Sequence, residues 1–175
     1  MPYPFFDGTD ALIKAQFVNS DLILATGRDA AAIQTWVNRG VLVPSSGQNP
    51  GYGQRRLYSA IEVCKIAILG ELIDFGFPPA EGKKVAEYVG RKLSDGKLID
   101  GNATLWIYRP KMRMIVAGGP TIGGESSPYQ YQFVHGTFPM SPAEPTSLFL
   151  PVGMIINVTL IALGNVLQPE GNLAR

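Results

Sequence analysis

The stretch from residue 43 to residue 56 is crowded with residues that favour turns, and it divides the first half of the chain. These residues are Pro44, Ser45, Ser46, Gly47, Pro50, Gly51 and Gly53. Proline removes a backbone donor and glycine loses much entropy on ordering, so this density excludes a helix and predicts a long hairpin-like loop. The loop ends in QRRLYS (54–59), which places two arginines and a tyrosine side by side.

Two short helices are predicted immediately before this loop. In NSDLILATG (19–27), Ser20 or Asp21 is expected to be the N-cap and Gly27 the stop. In RDAAAIQTWVNRG (28–40), Asp29 is the expected N-cap, three alanines favour helix and Gly40 ends it. Two short helices joined by a tight glycine turn predict a helix-turn-helix.

The second of these helices has two different faces. Ile33, Trp36 and Val37 recur at helical spacing, and we expect this apolar face to pack on the first helix. The opposite face is small and polar, with no large side chains to keep it out of a groove; it consists of Ala31, Gln34, Thr35 and Asn38.

Two longer helices are predicted after the loop. SAIE (59–62) is a capping box that opens a helix running to about Phe75, in which Cys64 is expected to be a buried small hydrophobic residue. Gly76 ends this helix. A further helix begins at Pro78-Pro79 and fades near Gly90 or Leu93.

Charge is unevenly distributed along the chain. Residues 28–113 carry thirteen Lys/Arg and eight Asp/Glu, a net charge of +5, whereas the remainder carries two and six, a net charge of −4. This asymmetry indicates a basic working surface, for which nucleic acid is the usual partner. Solvated helix faces are the alternative explanation.

The motifs of the first half occur in a characteristic order. Thr26-Gly27 precedes the second short helix, which carries Trp36 and is followed by Gly40-Val41-Leu42 and Pro44; Arg56-Leu57-Tyr58-Ser59 and Gly76-Phe77 come later. Over residues of about 17–90 this series resembles the winged-helix DNA-binding domain of the MerR family. The resemblance implies a cytoplasmic transcriptional regulator that binds double-stranded DNA through a recognition helix and a basic wing.

The residues expected to contact DNA follow from this comparison and from their chemistry. Gln34 is suited to reading an adenine edge, arginines neutralise phosphates, and tyrosine hydroxyls donate to phosphates. For Tyr58, packing under the following helix is an equal alternative, and Trp36 is expected to pack in the core. The full candidate set is Arg28, Ala31, Gln34, Thr35, Arg39, Tyr52, Gln54, Arg55, Arg56 and Tyr58.

The chain departs from the MerR pattern in three places. The recognition helix reads Ile33-Gln34-Thr35-Trp36 where the family usually has Leu-Arg-Tyr-Tyr, so one phosphate contact is missing. The wing is lengthened by SSGQNPGYGQ (45–54). The second half resembles neither the family's dimerisation coiled coil nor its cysteine metal loop, so metal or drug sensing is not implied.

The second half predicts a small antiparallel sheet with a terminal helix. ATLWIYRPKMRMIVAGG (103–119) is typical of two strands, YQYQFVH (129–135) alternates as a strand, and SLFLPV (147–152) suits a buried strand. GMIINVTLIALGNVL (153–167) places Ile156, Leu160, Leu163 and Leu167 on one helical stripe. The predicted fold class is α+β, with a winged-helix domain at 1–93 and a dimerisation or sensing module at 103–175.

Catalysis, a cofactor and a metal site are not expected. His135 is the single histidine, Cys64 the single cysteine, and AGGPTIGG (117–124) lacks the lysine and following helix of a phosphate-binding loop. Residues 146–169 carry no charge. A buried strand and helix that assemble a homodimer explain this segment better than a membrane anchor, although a ligand pocket is an alternative role for the module.

Two other functions are compatible with the same residues. A phage or mobile-element DNA-binding protein, of the excisionase or small terminase subunit type, uses a similar winged helix. A protein-interaction adaptor that has lost DNA binding is the other alternative, because the usual arginine of the recognition helix is absent.

Overall fold

The computed structural model describes residues 6–44, 55–96, 101–108, 130–134 and 147–168, and these form six helices and three strands. The prediction of a mixed α+β chain is confirmed. In chain order the elements are α1 (Gly8–Ile13), α2 (Asn19–Thr26), α3 (Ala30–Asn38), α4 (Ala60–Asp74), α5 (Pro79–Ser94), β1 (Thr104–Tyr108), β2 (Gln130–Val134), β3 (Ser147–Leu150) and α6 (Val152–Leu167).

The chain divides into two compact units. The first consists of Met1–Ile99 together with Ile155–Arg175, and the second of Asp100–Met154. This division groups most of α6 with the first unit, whereas the sequence prediction places the whole helix in the module 103–175.

Helix α2 begins earlier than predicted. Val18 is its N-cap, and the Asp21 carboxylate in the first turn accepts the backbone N–H of Val18 at 2.9 Å. The prediction of Ser20 or Asp21 as N-cap is therefore wrong, because Asp21 caps from inside the helix. The predicted stop is confirmed, since Gly27 adopts a left-handed φ of 65° that a residue with a Cβ rarely takes.

Helix α3 follows after a turn of three residues and agrees with its prediction. The Asp29 carboxylate accepts the N–H of Ala32 at 2.7 Å, so Asp29 is the N-cap. Ile33, Trp36 and Val37 are buried, which confirms the apolar face. Trp36 is therefore a packing residue.

Helix α4 is buried on nearly all sides and is the centre of the first unit. Its capping box is confirmed: Ser59 Oγ accepts the N–H of Glu62 at 3.2 Å, and Glu62 Oε2 accepts the N–H of Ser59 at 2.7 Å. Burial raises the pKa of Cys64 to about 12, because the thiolate would lose its hydration. The expectation of a buried cysteine is confirmed.

Helix α5 packs closely along α4. A Cβ at Gly82 would lie 2.9 Å from Leu69 Cδ1, so this glycine allows the two helices to approach. Pro79 occupies the first turn of α5, where its missing N–H has no cost within the helix. The predicted start is confirmed, and the helix ends near the predicted position.

The end of the loop is tied to the segment that precedes α2. Phe17 and Tyr58 form an isolated antiparallel bridge, in which Phe17 N–H donates to Tyr58 O at 3.0 Å and Tyr58 N–H to Phe17 O at 2.9 Å. Both side chains are 1% exposed. This bridge fixes where the chain returns after the loop, whose residues 45–54 lie outside the described part.

The second unit contains an antiparallel sheet in the order β2-β1-β3. Leu105 and Ile107 of β1 are buried, while Trp106 points to the opposite face and stacks on Phe149 of β3, with ring centroids 6.1 Å apart. The strands predicted within 129–135 and 147–152 are confirmed. The strand predicted after residue 111 lies outside the described residues.

Helix α6 confirms the predicted terminal helix. Ile156, Leu160 and Leu163 are buried, whereas Leu167, which the prediction placed on the same stripe, is 43% exposed. The β-branched Thr159 is accommodated because its hydroxyl donates to the carbonyl of Ile155 at 2.8 Å.

Candidate nucleic-acid interface

The outward face of α3 is a row of small and polar side chains. Ala31, Thr35 and Asn38 are exposed, and Gln34 between them is half-buried. The same helix is anchored on its other side by its buried apolar residues, so the outward row is held on a rigid support.

The arginines at the end of the loop lie beside this row. Arg56 Nη1 donates to Gln34 Oε1 at 2.9 Å, although the two residues are 22 positions apart in the sequence. Gln34 Nε2 in turn donates to Asn38 Oδ1 at 2.6 Å. Arg55, the neighbour of Arg56, is exposed. The fold thus brings the predicted recognition helix and the predicted wing arginines together.

Arg28 has a different place from the one predicted. Its guanidinium donates to Glu71 Oε1 at 2.7 Å and to Asp74 Oδ2 at 2.5 Å, and its side chain is 17% exposed. A Cβ at Gly70 would collide with the Arg28 side chain, so the glycine makes room for it. Arg28 therefore joins the turn before α3 to the last part of α4, and in this conformation it is not available to a phosphate.

The two interpretations of Tyr58 are resolved in favour of packing. Its side chain is 1% exposed, and its hydroxyl is a buried group with no hydrogen-bond partner among the described residues. Burial raises its pKa, with Arg56 acting in the opposite direction and Glu62 in the same direction. The expectation that Tyr58 donates to a phosphate is corrected, because a buried hydroxyl cannot reach one.

The end of α3 carries two further cations. Arg39, its C-cap residue, is exposed as predicted for a phosphate contact. Lys83 Nζ of α5 donates to the carbonyl of Gly40 at 2.7 Å, where the negative end of the helix dipole favours a cation. No local signal in the sequence connects Lys83 to this carbonyl, because the two residues are 43 positions apart.

The other residues predicted to contact DNA fall into two groups, those inside and those outside the described residues. Ala31, Gln34, Thr35, Arg39, Arg55 and Arg56 lie on or beside the outward face of α3. Tyr52 and Gln54 lie outside the described residues. We call the first group, together with Asn38, the α3 face.

Within the described residues no group of three or more His, Cys, Asp or Glu side chains is placed to hold a metal ion. None of the described helices has both the length and the apolar character needed to cross a membrane. Comparison with models of protein families finds no match to this chain, and comparison with curated proteins finds no significant match.

Proposed function

We propose that this chain is a sequence-specific DNA-binding protein, a cytoplasmic transcriptional regulator with a winged helix of the MerR type. The observation that carries the proposal is the hydrogen bond between Arg56 and Gln34, which joins the outward side of α3 to the arginines at the end of the loop. A recognition helix beside a basic wing is the arrangement that reads a major groove while neutralising the flanking phosphates.

The sequence of elements supports the same proposal. Helices α2 and α3 are separated by the three residues 27–29, and the chain returns after the loop to pair with the segment before α2. The Phe17–Tyr58 bridge fixes the end of the loop against the segment before α2, and the Arg56–Gln34 hydrogen bond holds it against α3, as a wing beside a recognition helix requires.

Arg39 and Arg55 are the candidates for phosphate contact. Both are exposed; Arg39 is the C-cap residue of α3, and Arg55 precedes Arg56 at the end of the loop. Each phosphate contact releases counterions, so the logarithm of the DNA affinity should fall linearly as the logarithm of the salt concentration rises.

A salt titration of DNA binding tests the proposal. Fluorescence anisotropy with a labelled duplex, selected from a random library, should show that Arg39→Ala and Arg55→Ala each weaken binding on every sequence and flatten the salt slope by about one. Arg91→Ala is the matched control for loss of an exposed positive charge. Arg91 lies eight residues beyond Lys83 on α5, roughly 12 Å further along that helix.

Two results would refute the proposal. One is the absence of duplex binding by the intact chain at low salt. The other is an equal effect of Arg91→Ala and the two α3-face variants, because the positive charge would then act without a defined interface.

We also propose that the regulator works as a homodimer through α6. Met154, Val158 and Ile161 recur at helical spacing and are 56%, 60% and 46% exposed. An uncharged stripe is complementary to a copy of itself, as a twofold interface requires. Val158→Lys should convert a dimer to a monomer in sedimentation equilibrium and leave the circular dichroism spectrum unchanged. A wild-type chain that is monomeric at micromolar concentration would exclude the homodimer.

A further inference from the structure

Three side chains on the α3 face form one hydrogen-bonded series. Arg56 Nη1 donates to Gln34 Oε1 at 2.9 Å, and Gln34 Nε2 donates to Asn38 Oδ1 at 2.6 Å. Arg56 is half-buried and Asn38 is exposed, so the series runs from the supported end of the loop towards the open surface.

The presence of Arg56 determines which way the Gln34 amide points. A guanidinium has only donors, so the amide atom that faces it must be the oxygen. Rotating the amide by half a turn would place Nε2 against Arg56, which replaces this hydrogen bond by a repulsive contact between two donors. The exposed Asn38 amide can rotate with its partner, so Arg56 alone sets the orientation. One orientation of Gln34 is therefore held before any ligand arrives.

The fixed amide still has hydrogen-bonding capacity. A glutamine oxygen accepts two hydrogen bonds and its nitrogen donates two, and the series uses one of each. The remaining acceptor and donor match the major-groove edge of adenine, which offers the N6 donor and the N7 acceptor. Guanine offers two acceptors there, O6 and N7, and one of them would face the Gln34 oxygen.

We infer that Arg56 is a positioning residue, which orients Gln34 so that the α3 face selects an A·T pair over a G·C pair at one position of the site. The inference rests on the proposed DNA-binding function and adds the residue that sets the base preference expected of Gln34. It gives the two neighbouring arginines different roles. Arg55 is exposed and supplies positive charge to the interface, whereas Arg56 is half-buried and orients the Gln34 amide.

The first test concerns the protein without DNA. In a nitrogen–proton correlation spectrum of the ¹⁵N-labelled chain, the Gln34 side-chain amide signals are assigned by their loss in Gln34→Ala. We expect these signals at shifts distinct from those of exposed glutamines, and we expect Arg56→Met to move them to exposed-glutamine values. Arg55→Met, which removes a positive charge from the adjacent residue, should leave the Gln34 amide shifts unchanged. Unchanged Gln34 signals in Arg56→Met would overturn the inference whatever the chain binds.

The second test measures base discrimination. A duplex selected by the wild-type chain from a random library is changed one base pair at a time, and the position at which Gln34→Ala loses discrimination is located by competition binding. The wild-type chain should prefer A·T over G·C there by at least about fivefold, the lower end of what a good bidentate contact provides. Arg56→Met should lose most of that preference, and the double variant should lose no more than Gln34→Ala alone, since the two residues act as one unit.

Arg55→Met distinguishes a failure of the inference about Arg56 from a failure of the proposed DNA-binding function. It should weaken binding equally on all duplexes and keep the preference at the Gln34 position. If Arg56→Met behaves in the same way, Arg56 is a phosphate contact; the inference then fails while the proposed function stands. If the wild-type chain binds no duplex, the proposed function fails and the base preference fails with it.

Discussion

The substitution of Tyr58 by phenylalanine is expected to stabilise the protein. The Tyr58 ring is 1% exposed, and its hydroxyl is buried without a hydrogen-bond partner among the described residues. In the unfolded chain water satisfies this hydroxyl, so folding carries the cost of stripping that water, about 1–3 kcal/mol for a buried polar group left unpaired. Phenylalanine keeps the ring and removes the cost.

The expected gain is smaller than the full cost. Removing the oxygen leaves a gap of one atom, and lost contacts offset part of the benefit. We therefore expect the free energy of unfolding to rise by about 1 kcal/mol. Urea unfolding followed by circular dichroism should show a higher midpoint at an unchanged slope, which indicates a change of stability rather than of the unfolded state.

Tyr88→Phe is the matched control. The Tyr88 side chain is 5% exposed, and its hydroxyl does not belong to the buried unpaired groups of the described residues. This substitution should bring no gain. A fall in the unfolding midpoint of Tyr58→Phe would refute the reasoning, because it would show that the hydroxyl makes a hydrogen bond that contributes to stability. A loss of duplex binding by Tyr58→Phe would show that the hydroxyl reaches DNA after all.

The pH dependence of the same substitution gives an independent check. Burial raises the Tyr58 pKa in the folded protein above the ordinary value of 10.0. The unfolded chain then ionises first as the pH passes 10, and ionisation favours unfolding. Stability attributable to Tyr58 is thus present in full below pH 10 and is lost above it. The advantage of phenylalanine should widen in alkaline solution, and a constant advantage from pH 8 to 11 would contradict the raised pKa.

Two further predictions concern buried or paired groups of the first unit. Cys64, with a pKa of about 12 in place of 9.0, should not react with a thiol reagent at pH 8 in the folded chain and should react fully in urea; fast reaction without urea would show that the thiol is accessible. Arg28→Met should lower the free energy of unfolding by about 1–2 kcal/mol, less than for a fully buried ion pair because Glu71 and Asp74 are 42% and 60% exposed and can rehydrate. An unchanged urea midpoint would show that the pair contributes nothing.

Several of the helix beginnings and ends were determined by the sequence itself. Asp29 caps α3 and Ser59 with Glu62 caps α4 because each cap joins groups only three residues apart, so the chemistry is complete within one turn. Gly27 ends α2 for a similarly local reason, since few other residues adopt its backbone angle. Such features do not depend on how the rest of the chain packs.

The roles of the charged and polar site residues were decided only by the tertiary structure. Arg28 and Arg56 look alike in the sequence, both arginines in a basic region. One pairs with carboxylates 43 and 46 residues away, and the other orients a glutamine 22 residues away. No spacing rule connects groups that far apart, because the packing of α4 against the turn before α3, and of the loop end against α3, sets which partner each guanidinium meets. The sequence left Tyr58 open between a DNA contact and a packing role, and the fold decides for packing: its backbone pairs with Phe17 and its side chain is buried. Burial is a property of the fold as a whole.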